Sequence, residues 1–282
     1  MTPMPKPTTL NFGPGLTTRV VDTGGDGVPV VLLHGLAASL EAWRDTLPGF
    51  AHRRVLAFDL PGFGEASKPD DADYTAKGFF LPQLHSILDA LDIHQADVVG
   101  SSMGASLALR YAYRHPERVH RMVLAAPGGF ASYIHPFLRV PTTPFIGRIM
   151  SRPQRATNAF AMRLVLANPE ARTRALLDET DRFSKLPGAH NAFVTTLKGL
   201  TTLGGLKDLD EFEAEARAVN ATHGDQVLLL WGDKDRIFPI HQLEAARAEM
   251  PSAQTHVIPG AGHFPQIDAP DAFNAVASDF LR

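Results

Sequence analysis

Short, unbroken apolar runs recur along this chain, separated by stretches whose apolar positions repeat every three or four residues. Val28-Pro29-Val30-Val31-Leu32-Leu33, Val55-Leu56-Ala57-Phe58, Arg121-Met122-Val123-Leu124-Ala125-Ala126 and Val227-Leu228-Leu229-Leu230-Trp231 read as buried strands. Val98-Val99 closes another, begun at Ala96, and Thr255-His256-Val257-Ile258 reads as a last one. Between them lie helical patterns over Leu81 to Leu91, Leu243 to Met250 and Pro270 to Leu281, the last with a proline suited to its first turn. This alternation predicts an α/β fold: a mostly parallel central sheet flanked by helices.

The alternation breaks between about Phe130 and Val219, where no convincing strand occurs. The stretch opens with a proline-interrupted segment (Pro136, Pro141, Pro144) and continues with helix-like runs around Thr157 to Leu166 and Ala171 to Phe183. So long an excursion predicts an inserted helical cap. The expected division is a core of residues 1–129 and 216–282 and a cap of residues 130–215.

A chain of 282 residues with 44% hydrophobic and 20% charged positions can bury a large core. The formal net charge of -3 leaves no basic footprint and argues against nucleic acid as a partner. There is no cysteine, which rules out disulfides, thiolate metal sites and a cysteine nucleophile and fits a reducing compartment. The N-terminal residues lack an apolar signal core, and no apolar run is long enough to span a bilayer, so the expected location is the cytoplasm.

Candidate chemistry centres on Gly100-Ser101-Ser102-Met103-Gly104, a G-x-S-x-G run between the Ala96 strand and the helix formers Ala105 to Ala112. At a sharp strand-to-helix turn, small residues two before and two after a serine let the elements pass closely, and the hydroxyl faces out as a nucleophile. A serine hydroxyl is weak at neutral pH and needs a base, itself oriented by an acid. Most of the twelve histidines sit in surface or undistinguished contexts; His135 and His190 fall in the expected cap. His263 stands apart, in the glycine-rich loop Gly260-Ala261-Gly262-His263-Phe264-Pro265 just past the last strand, where ligands bind in open α/β sheets.

The acid is sought in Trp231-Gly232-Asp233-Lys234-Asp235-Arg236-Ile237-Phe238. Asp235 lies deeper, before apolar anchors, and is the expected partner of His263; Asp233 reads as a turn residue making local backbone bonds. Backbone N–H groups of Leu36, in the His34-Gly35-Leu36 loop after the first buried strand, and of Met103 are the expected oxyanion donors. His34 reads as structural, and Asp59, in Asp59-Leu60-Pro61-Gly62-Phe63-Gly64, receives no catalytic role.

With these motifs in this order, nearly the whole chain resembles the α/β-hydrolase fold family. The motifs are specific for the fold and a Ser–His–Asp triad and poorly specific for substrate. Ser102 at the elbow speaks against the epoxide hydrolase and haloalkane dehalogenase branches, which use aspartate there. Ala126-Pro127-Gly128-Gly129-Phe130 and the C-terminal Phe273-Asn274 to Phe280-Leu281 are similar to carbon–carbon bond hydrolases of ring meta-cleavage products. Two features depart from that group: Phe264 stands where it usually has tryptophan, and the loop after Gly35 lacks its extra glycine and proline.

The first expectation is therefore a carboxylic ester hydrolase, esterase- or lipase-like, working through an acyl-enzyme on an apolar small-molecule ester without metal or organic cofactor. Carbon–carbon hydrolysis, cofactor-free perhydrolysis and slow-turnover ligand reception are the alternatives. Phe130, Phe137, Phe145, Phe160, Met162 and Phe193 are the expected apolar pocket residues, each of which could instead pack the cap onto the core.

Overall fold

Eight strands form one sheet at the centre of the protein, whose computed structural model describes residues 4–143, 147, 149 and 151–282. The strands are β1 (Thr8–Gly13), β2 (Leu16–Asp22), β3 (Val30–Leu33), β4 (Val55–Phe58), β5 (Ala96–Ser101), β6 (Val119–Ala125), β9 (Val227–Gly232) and β10 (Gln254–Ile258). A separate two-residue hairpin pairs β7 (Thr201–Thr202) with β8 (Gly205–Leu206). The sheet order is β1-β2-β4-β3-β5-β6-β9-β10. From β4 to β10 every neighbour is parallel, whereas β2 runs antiparallel to both of its neighbours, β1 and β4.

β3 and β4 are apolar throughout, and β5, β6 and β9 carry apolar runs, because both faces are covered. Val31 and Leu33, Leu56 and Phe58, Val98, Met122 and Leu124, and Leu229 and Trp231 enter one cluster. Their chain neighbours Val30 and Leu32, Val55 and Ala57, Val99, Val123 and Leu230 enter the other. The helices are α1 (Leu81–Ala90), α2 (Met103–Arg114), α3 (Arg155–Val165), α4 (Arg174–Ser184), α5 (Ala189–Leu200), α6 (Leu209–His223), α7 (Gln242–Glu249), the short α8 (Pro265–Asp268) and α9 (Pro270–Phe280). Leu84 and Ile87 of α1, Leu107 and Tyr111 of α2, Val219 of α6 and Leu243 of α7 cover the first face. Phe273 and Ala277 of α9 cover the second with Trp43 and Phe50.

The sequence reading missed the β1–β2 hairpin. Its strands are threonine-rich and largely exposed along β1, so they lack the apolar runs that mark the parallel strands. Helices α3 to α6 and the β7–β8 hairpin all lie between β6 and β9, so the excursion does contain one minimal ladder. Position 215 falls inside α6, whose Phe212, Ala216 and Val219 belong to the core cluster. None of the described helices is long and apolar enough to cross a membrane.

Candidate active site

β5 ends at Ser101 and α2 begins at Met103, so the whole change of direction falls on Ser102, at φ 54° and ψ -120°. A non-glycine residue held there costs about 1–3 kcal/mol, a strain typical of functional turns. Its neighbours explain the glycines. A Cβ on Gly104 would collide with the Leu33 carbonyl oxygen, and one on Gly100 would meet Ala105 Cα at 2.5 Å.

The structure brings the three sequence-predicted residues together. The Ser102 hydroxyl lies 2.8 Å from His263 Nε2 and points its proton there. His263 Nδ1–H donates to Asp235 Oδ2, also at 2.8 Å. Because Asp235 is an acceptor, the proton on Nδ1 leaves Nε2 free to accept. The other carboxylate oxygen, Asp235 Oδ1, accepts the backbone N–H groups of Ile237 at 2.8 Å and Phe238 at 2.9 Å. Trp231 Nε1 donates to the Phe238 carbonyl at 2.8 Å and braces that loop. The rings of Phe238 and Phe264 flank the imidazole at 5.2 and 5.1 Å. Ser102, His263 and Asp235 are all buried. Asp233 accepts from Gly260 N at 2.6 Å, so it ties the loop after β9 to the turn after β10 rather than bonding only locally.

Leu36 and Met103 border the same cavity as Ser102 and His263. The Met103 N–H is the first of α2 and has no intrahelical acceptor. Gly35 sits so close that an added Cβ would come 3.2 Å from Ser102 Cβ and 3.0 Å from the Phe264 ring. His34 donates from Nδ1 to the Gly35 carbonyl at 2.8 Å and accepts Leu60 N at 2.8 Å on Nε2. Burial holds its pKa below the usual histidine range, consistent with a neutral ring that can do both. Asp59 is a hub outside the cavity: it accepts from Arg19 Nε at 2.7 Å, Leu40 N at 2.9 Å and Glu65 N at 2.8 Å.

The cavity measures about 710 Å³. Phe137, Met162 and Phe193 line it. Phe130 instead packs in the core, edge-on to Phe212 at 5.1 Å. Phe160 is half exposed, meets the Phe137 ring edge-on at 5.2 Å and does not border the cavity. Phe145 lies outside the described residues. Sequence reasoning missed Ile134, Leu176, Phe183 and Phe264 in the wall, and the ionic Glu41, Lys68, Arg110 and Glu179. Nothing in their local pattern marks them, because tertiary packing alone turns them inward. Among the described residues no cluster of three or more histidines and carboxylates could hold a metal ion.

A hydroxyl within hydrogen-bond reach of an imidazole that is itself held by a carboxylate can attack a carbonyl. The sequence model of the family described as alpha/beta hydrolase fold matches residues 28–270. A 2-hydroxymuconate semialdehyde hydrolase of Pseudomonas sp. (strain CF600) is 31% identical over 277 residues, covering 95% of this chain and 91% of its own. A 2-hydroxy-6-oxo-2,4-heptadienoate hydrolase of Pseudomonas putida is 30% identical over 278 residues, covering 95% and 93%. The crystal structure of a meta-cleavage product hydrolase from Pseudomonas fluorescens IP01 superposes with a TM-score of 0.80 at 25% identity, covering 99% and 97%.

Proposed function

Because the chain belongs to the α/β-hydrolase fold family, we propose that it is a serine hydrolase cleaving the carbon–carbon bond beside a carbonyl in a ring-opened hydroxydienoate. The Ser102–His263–Asp235 relay supports serine catalysis. The choice of bond rests on one observation: relatives at 30–31% identity along 95% of the chain are named as hydrolases of such compounds. This reverses the order in which the sequence alone ranked ester and carbon–carbon cleavage.

In this reading Ser102 Oγ attacks the carbonyl carbon as His263 Nε2 takes its proton. Asp235 holds the imidazole tautomer and offsets the imidazolium charge without taking the proton itself. The Leu36 and Met103 N–H groups hold the oxyanion, each worth about 3–4 kcal/mol. The carbon–carbon bond breaks from the keto tautomer of the substrate, in which the hydroxyl proton has moved to the carbon beside the carbonyl. Its electron pair passes through the enone to the C2 oxygen, and that oxygen takes the proton from His263. Water, activated by the same histidine, releases the acyl group from Ser102. The net reaction adds one water and gives a carboxylic acid and a shortened hydroxydienoate.

The cavity volume suits a small molecule. Phe137, Met162 and Phe193 suit its hydrocarbon part, and we assign the excursion between β6 and β9 as the cap that carries them. A cytoplasmic location fits the absence of cysteine.

Ester hydrolysis is the second reading, favoured by Phe264 and the Leu36-Ala37-Ala38 loop where meta-cleavage product hydrolases usually differ. The two share every step up to the leaving group, which in an ester is an alkoxide needing no electron sink. The test is kcat/KM on 2-hydroxymuconate semialdehyde and its 6-alkyl and 6-phenyl ketone analogues, followed by loss of dienolate absorbance, against a p-nitrophenyl ester series, with Ser102→Ala as control. Faster turnover of the dienoates supports the proposal. Ester turnover with inert dienoates sinks it in favour of the second reading.

A further inference from the structure

Asp268 ends α8, five residues beyond His263, and its carboxylate is buried without an ion-pair partner among the described residues. Three backbone N–H groups satisfy it. Oδ2 accepts from Gly262 at 2.5 Å and from Ala167 at 2.8 Å; Oδ1 accepts from Asn168 at 3.2 Å. Gly262 immediately precedes His263, while Ala167 and Asn168 follow α3. The two segments meet elsewhere too: His263 N–H donates to the Val165 carbonyl at 2.8 Å, and Asn168 Nδ2 donates to the Asp268 carbonyl at 3.1 Å. Helix α3 is itself a cavity wall, through Thr157, Asn158, Ala161, Met162 and Val165.

This carboxylate does no work in α8, whose own ladder does not need it. Both of its oxygens are spent joining the loop of the proposed base to the end of a cap helix. Burial raises the carboxyl pKa against the opposing pull of these donors. We propose that Asp268 is a positioning residue that locks the His263 loop to the end of α3, so that the imidazole reaches Ser102 and Asp235 together only while α3 is docked. This rests on reading Ser102, His263 and Asp235 as the working relay. Asparagine at 268 keeps the shape but turns one acceptor into an NH₂ facing an N–H donor, which forces the loop apart.

The experiment measures how fast a fluorophosphonate labels Ser102, together with the low-field proton resonance of His263 Nδ1–H. It compares the wild type with Asp268→Asn, Asp268→Glu and Asn168→Ala. In folded Asp268→Asn, labelling falls about ten- to a hundredfold, as expected when a reacting group shifts by an ångström or less. The low-field resonance broadens or vanishes, kcat falls while KM changes little, and Asp268→Glu recovers part of the rate. Wild-type labelling and an unchanged resonance in Asp268→Asn overturn the proposal. Should that variant fail to fold, Asp268→Glu, which keeps both acceptors but moves them by one methylene, carries the test with Asn168→Ala, which leaves the carboxylate's three backbone donors in place, as the control: a labelling rate lowered about threefold in Asp268→Glu supports the proposal, and an unchanged rate overturns it. A wild-type protein that is never labelled defeats the relay reading instead, and the resonance then still reports whether Asp268 sets the imidazole.

Discussion

The main chain of Gly104 presses directly against the carbonyl oxygen of Leu33, so the first turn of α2 and the end of β3 meet with no room for a methyl group. The His34 carbonyl stands on the same side, 2.6 Å from where a Cβ would sit. Gly104→Ala must therefore push α2 away from the sheet, and Ser102 with it. The expected result is a loss of about 1–3 kcal/mol in urea unfolding and a far larger loss of Ser102 labelling. A variant that keeps wild-type labelling would show that the close approach does not position the serine.

Asp235 divides its oxygens between His263 Nδ1 and the N–H groups of Ile237 and Phe238. Asparagine there cannot accept in both directions, so either the loop loses its anchor or the imidazole adopts the other tautomer. In the second case Nε2 carries the proton and can no longer take one from Ser102. Asp235→Asn should lower kcat by about ten thousandfold with the fold intact. Activity within tenfold of wild type would exclude Asp235 as the orienting acid and reopen the case for Asp233.

Several of these relationships were legible in the sequence, for physical reasons. Val30 to Leu33 and Val227 to Trp231 read as strands because both sheet faces are covered, so no polar residue interrupts them. Ser102 and His263 stood out because an elbow and a glycine-rich loop at a sheet edge demand particular residues in sequence. Thr8 to Asp22 escaped notice because an edge hairpin tolerates polar alternation. The inward turn of Phe193 and the outward turn of Phe160 could not be read, since both lie on amphipathic helices and only the packing of the cap decides which stripe faces the cavity. Asp268 carries no mark in the sequence, because two of its three backbone donors, Ala167 and Asn168, come from a segment about a hundred residues away.

Arg19 links two buried carboxylates: it donates to Glu41 at 2.8 and 2.9 Å and to Asp59 at 2.7 and 3.2 Å. Burial opposes its charge, but these bonds outweigh it and raise its pKa. Burial likewise opposes the charge on Glu41, but hydrogen bonds from Arg19 and Ser39 together with the Arg19 charge outweigh it, holding Glu41 below the usual range. Arg19→Met leaves both carboxylates unpaired, a loss of about 3–5 kcal/mol in urea unfolding near neutral pH. A lowered carboxyl pKa stabilises the fold above the unfolded value and ceases to do so as pH falls through the folded one. The wild type should lose the Glu41 share of this increment below about pH 4, while the variant has no such share to lose, so the gap between the two unfolding curves narrows in acid. A gap that stays constant down to pH 3 would mean the pair contributes nothing through its charges.

Phe130 and Phe193 separate packing from recognition. Phe130 is buried against Phe212 in the core and does not border the cavity. Phe130→Ala should cost about 3–5 kcal/mol of stability and leave the ranking of substrates unchanged. Phe193 lines the cavity from α5 and is only half-buried, so Phe193→Ala should cost less than half as much in the same urea titration. Its effect should appear in recognition: the space left by the ring admits a larger acyl substituent, and kcat/KM should shift towards 6-phenyl over 6-methyl dienoates, or towards longer p-nitrophenyl esters. The comparison is informative under either choice of cleaved bond, because the same acyl group is transferred to Ser102 in both. An unchanged substrate ranking in Phe193→Ala, with its stability falling as far as that of Phe130→Ala, would move Phe193 from the substrate wall to the core.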